Sequence, residues 1–91
     1  MMSDIKVDEK GNMTPIEPMN KRTYSLEELQ RMVSGYVELV DLGKYYLVVN
    51  EEGKLRHMLP NPIATSWLFL ATGSHDEIVG PALLIGKEAI E

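Results

Sequence analysis

The hydrophobic pattern of the chain changes period several times, and each change marks an element. Ile5-Lys6-Val7-Asp8 alternates as a half-buried strand does; the polar, glycine-containing Asp8-Glu9-Lys10-Gly11-Asn12 then turns the chain into a return run from Met13 to Met19. The two form an opening hairpin. Pro15 and Pro18 lack the N–H that a ladder requires, so the return run is predicted as an edge strand or as partly irregular. At Ser25-Leu26-Glu27-Glu28 the period becomes helical. The Ser25 and Glu28 side chains can cap each other's backbone N–H, and Tyr24 can staple against Leu29. Leu26, Leu29, Met32 and Val33 share one face, Glu27, Glu28 and Gln30 face water, and Gly35 ends a helix over residues 25–34.

From Gly35 to Thr65 the pattern predicts three strands feeding a capped helix. Tyr36 to Leu42 and Tyr45 to Asn50 are rich in β-branched and aromatic residues and close on the turns Asp41-Leu42-Gly43 and Asn50-Glu51-Glu52-Gly53. Lys54 to Leu59 is read as the third strand, stopped by Pro60. Asn61-Pro62 then supplies an N-cap and a proline at the first helical position, where the missing N–H has no cost. The helix runs over residues 62–71 and ends at Thr72-Gly73-Ser74. Its apolar residues, Ile63, Ala64, Trp67, Leu68, Phe69 and Leu70, cover more than one face, which marks a central or interface helix. Ile78 to Ile85 is a strand-like apolar run in which Gly80-Pro81 signals a bulge or an edge, and Gly86 to Glu91 reads as an exposed tail. The expectation is one α+β domain over residues 1–91: a small, mostly antiparallel sheet of five to six strands with two helices.

Composition narrows the functional classes. Ninety-one residues with 44% hydrophobic and 25% charged positions suit a globular domain. A domain of this size buries only about 60 to 65% of its unfolded surface and gains from self-association. A homo-oligomer is therefore expected, the apolar second helix offering the surface. The absence of cysteine removes disulfides, zinc ribbons and thiol catalysis. With no apolar signal region at the N-terminus and no membrane-length apolar run, a cytoplasmic protein is expected. Nine Lys and Arg against fourteen Asp and Glu give a net charge of -5, which disfavours duplex nucleic acid.

No catalytic or metal constellation stands out. His57 and His75 have no ligand spacing, Ser34, Thr65 and Ser66 lack a nucleophile elbow, and no phosphate-loop fingerprint is present. Glu27-Glu28 suits a helix start and Glu51-Glu52 a hairpin turn, without a catalytic role. No enzyme activity, cofactor or metal is expected. The strongest candidate is the start of the second helix: Asn61 and Thr65 offer polar groups beside free N–H groups that attract anions, Lys54 and Arg56 offer charge, and Tyr36 and Trp67 offer planar surfaces for stacking. The bland alternative is that Asn61 only caps and the aromatics only pack.

Gly35-Tyr36-Val37-Glu38-Leu39-Val40, Leu47-Val48-Val49-Asn50-Glu51-Glu52-Gly53-Lys54-Leu55, Pro60-Asn61-Pro62-Ile63-Ala64-Thr65 and Ile78 to Gly86 together resemble the domain of unknown function 3846 family of small phage and plasmid proteins, over roughly residues 4 to 87. The resemblance implies an α+β fold and a mobile-element origin, and names no activity. By analogy with small non-enzymatic phage proteins, two readings follow. One is a sponge that sequesters a nucleotide-derived immune signal, a small phosphate-bearing ligand. The other is an adaptor or inhibitor that binds a host protein through an apolar helix or a sheet edge.

Overall fold

The computed structural model describes residues 4–91; the reading of Met1-Met2-Ser3 as free of a signal region lies outside the described residues. The sheet contains two hairpins. β1 (Asp4–Val7) pairs with β2 (Met13–Ile16) across the predicted turn, and β3 (Val37–Asp41) pairs with β4 (Tyr45–Asn50). The last strand, β5 (Ala82–Gly86), lies between them and pairs antiparallel with both β1 and β4, giving one sheet in the order β2-β1-β5-β4-β3. The fold is α+β, with five strands and two α-helices among the described residues, α1 (Leu26–Val33) and α2 (Pro62–Thr72).

Period-two alternation sends successive strand residues to opposite faces, and each face carries one helix. Leu47 and Val49 of β4, with Val7 and Ala82, pack against Ala64 and Leu68 of α2. Val48 of β4, with Leu83 and Ile85, packs against Leu29 and Val33 of α1. The capping box at Ser25 and Glu28 is formed, and Tyr24 and Leu29 lie in the same buried cluster, as the staple requires.

Tertiary structure overrides the local reading at several points. Lys54 to Leu59 is not a strand: residues 51–57 wind through successive turns, with Arg56 N donating to Glu52 O at 2.9 Å and Met58 N to Gly53 O at 3.0 Å. The place beside β4 that a third consecutive strand would take belongs to β5. Gly80-Pro81 does not mark a sheet edge, since it precedes the middle strand; Gly80 takes φ 77, where an added Cβ would meet the Met58 sulfur at 2.6 Å. Residues 87–91 are not a free tail. A 3₁₀ turn at Lys87–Ala89 brings Ile90 beside Tyr24, whose N–H donates to Ala89 O at 2.7 Å, and Ile90 packs on the α1-side cluster.

Two details of α1 also differ. Its left-handed closing residue is Ser34, at φ 64, rather than Gly35. Gly35 is instead needed for close approach, because an added Cβ would lie 2.8 Å from Asn50 Nδ2 and 3.0 Å from Arg56 Nη1. Glu28 does not face water. The loop before the helix folds over it, and its carboxylate accepts from the N–H groups of Met19 at 2.9 Å and Ser25 at 3.0 Å, which holds it below the usual carboxylate range.

Candidate functional site

Asn61 is 0% exposed and every polar atom of its side chain is engaged. Its Oδ1 accepts from Ala64 N at 3.2 Å, while Nδ2 donates to Val7 O at 3.1 Å and to Gly80 O at 2.9 Å. One side chain thus caps α2 and holds the end of β1 and the approach to β5. Its own N–H donates to Ile78 O at 2.8 Å. With Pro62 lacking an N–H, Ile63 keeps the one first-turn N–H without a partner among the described residues. Thr65 is committed as well: its hydroxyl donates to Asn61 O at 2.8 Å and accepts from Ile78 N at 2.9 Å.

The charged members of the predicted site lie apart from this helix start. Lys54 sits in a cleft of about 290 Å³ floored by Val40, Val49, Leu68 and Ile78 and rimmed by Glu38, Glu51, Asp76 and Glu77. Its ammonium pairs with Asp76 at 2.6 Å. That hydrogen bond, with the fields of Asp76, Glu77 and Glu38, raises the Lys54 pKa; the same bond, with the Lys54 charge and the Glu77 N–H, lowers that of Asp76. Four carboxylates around one ammonium make the cleft repel anions. Arg56 donates from Nη1 to Ser34 O at 2.7 Å, and Asn50 Nδ2 donates to Val33 O at 2.9 Å. Both satisfy carbonyls at the C-terminus of α1, where a cation is favoured. Tyr36 is exposed, close in the chain to the glycine against which Arg56 lies. Trp67 is half-buried and packs with Val40, Leu42 and Ile63 on the α2-side core. Lys54 and Thr65 line different cavities.

A different feature of α2 is open. Its outer side carries Phe69 at 47% and Leu70 at 79% exposure, beside a shallow groove of about 370 Å³ completed by Thr65, Ser66, Ser74 and His75. The His75 ring lies 5.1 Å from that of Phe69. The all-round apolar pattern of this helix was the signal for the face, because a helix with one side on a sheet must present the rest to solvent or to a partner. Sequence reasoning missed the buried role of Asn50, which reads locally as a turn residue. No helix among the described residues is long and apolar enough to cross a membrane, and no three of their His, Asp or Glu side chains are grouped so as to hold a metal ion.

The chain belongs to the family described as a domain of unknown function (DUF3846), whose model matches residues 3–91. Searches of curated proteins and of solved structures returned no match.

Proposed function

We propose that this protein is a non-enzymatic binding protein of the host cytoplasm that takes an apolar segment of a partner protein on the outer side of α2. The observation that carries this reading is the pairing of Phe69 and Leu70, exposed on a helix whose opposite side is already packed on the sheet. Contiguous exposed apolar surface of this kind supports a protein-docking role better than a catalytic one. The groove is lined by Phe69, Leu70, three hydroxyls and one imidazole, with no carboxylate, lysine or arginine among them, which suits an apolar segment. Wild-type protein and a Leu70→Lys variant, each immobilised at equal density, provide the test in lysate of a host cell. A protein retained stoichiometrically by the wild type and lost from the variant supports the assignment; equal retention by both, or by neither, overturns it.

The sponge reading keeps one supporting observation, an exposed Tyr36 that follows Gly35, the residue against which the Arg56 guanidinium lies; the ring could stack on a base and the guanidinium pair with a phosphate. The α2 start contributes little to it, since only the Ile63 N–H remains for an anion. Calorimetry against cyclic dinucleotides and ADP-ribose derivatives separates the readings: heat for the wild type that is lost in Arg56→Ala moves the sponge ahead, and its absence leaves the docking face.

A further inference from the structure

The two edges of the sheet differ in what they can accept. On β2, the bond from Asp8 N to Asn12 O and the register Lys6↔Thr14 place Thr14 and Ile16 in the bonded positions toward β1, so Met13 and Pro15 direct their backbone groups outward. Pro15 has no N–H to offer there, and the edge is blocked in the way natural sheets block edges. On β3, the bonds from Glu51 N to Tyr36 O at 2.8 Å and from Leu42 N to Tyr45 O at 2.9 Å set the alternation, so Tyr36, Glu38, Val40 and Leu42 face β4. Val37, Leu39 and Asp41 therefore present their N–H and C=O groups outward, and no described residue bonds to them. Leu39, on this edge, is 41% exposed.

We propose that β3 pairs antiparallel with β3 of a second copy of this chain, about a twofold axis through Leu39, joining two sheets into one. The register follows from the side chains. Centred on Leu39, all three outward residues of each copy find partners within the opposing strand. Leu39 meets the partner's Leu39, Val37 meets the partner's Asp41, and Glu38 meets the partner's Val40, so no carboxylate faces another. Centring on Glu38 would oppose like charges, and centring on Val40 would carry Val37 past the end of the opposing strand. Because Pro15 blocks the other edge, β3 cannot join β2 of a further copy, and the assembly closes as a dimer instead of growing into a filament. This contact is independent of the α2 face.

Sedimentation velocity with rising protein concentration tests it, together with three substitutions at one position. Leu39→Pro removes an outward N–H that carries no bond within the fold, as Pro15 does on β2. Leu39→Lys and Leu39→Glu place like charges across the axis when alone and opposite charges when mixed. The wild type is expected to dimerise below about 100 µM, each variant alone to associate at least about tenfold more weakly, and the Lys and Glu variants to recover dimer when mixed. Leu70→Lys is expected to dimerise as the wild type does. A wild type that stays monomeric over that range, charged variants that dimerise as tightly alone as mixed, or a folded Leu39→Pro protein that dimerises like the parent would each overturn the proposal.

Discussion

The starts of α1 and α2 carry the same kind of signal and do different jobs. Ser25 and Glu28 cap α1 through partly buried bonds that all stay within the segment Met19 to Glu28, so their partners are near neighbours in the chain. Asn61 caps α2 in the same local sense but is buried, and its amide hydrogens go to Val7, fifty-four residues away, and to Gly80. The first cap stabilises a helix; the second stabilises the junction of a helix with two strands. A half-buried local cap can be replaced in part by solvent, whereas the loss of a fully buried amide removes partners from several elements at once.

The largest expected effect tests that difference directly. Asn61→Ala should lower unfolding free energy by about 3–5 kcal/mol in urea titration, because the lost cap is joined by the loss of two buried hydrogen bonds, to the Val7 and Gly80 carbonyls. A loss no greater than that of an ordinary cap would erase the distinction. Asn61→Asp sharpens it: the capping oxygen survives, but two donors disappear and a charge is buried, so the variant should also be severely destabilised, while Ser25→Asp should fold normally. Ser25→Ala should cost about 1 kcal/mol by the same measurement.

A smaller effect should appear with pH. The Glu28 carboxyl is held low mainly by the Met19 N–H and then by the Ser25 N–H, so folding favours its ionised form. That stability is complete above the ordinary glutamate value and is lost as pH falls through the lower folded value. Acid titration of the wild type should therefore lose more stability below about pH 4 than Glu28→Gln does. The smallest effect belongs to the outer side of α2, where Leu70→Lys should change stability by no more than about 0.5 kcal/mol while abolishing partner retention. A marked fall in melting temperature would mean that this side chain is part of the core after all.

Much of the fold was legible because its signals are short-range. Ser25 with Glu28, Asn61 with Pro62, and the turns that close both hairpins act within a few residues, so each element begins close to where local chemistry places it. The candidate site was less legible. Grouping Tyr36, Lys54, Arg56, Asn61, Thr65 and Trp67 assumed that Lys54 to Leu59 was an extended strand leading into α2. The winding of that segment instead turns Lys54 toward Asp76 and Arg56 toward the C-terminus of α1.

By itself the sequence determined where the helices start and stop, which strands alternate, and that α2 has more apolar surface than one contact can cover, because capping, turn and periodicity effects are local. The rest was decided by tertiary structure. The chain's last apolar run becomes the middle strand because both hairpins offer it an edge, and once β5 lies beside β4 the segment after β4 has no ladder to join and winds into turns. The same closure buries Asn61 and docks Ile90 on Tyr24. Those partners come from distant parts of the chain, and no local pattern encodes which of them a buried amide or a terminal residue will meet.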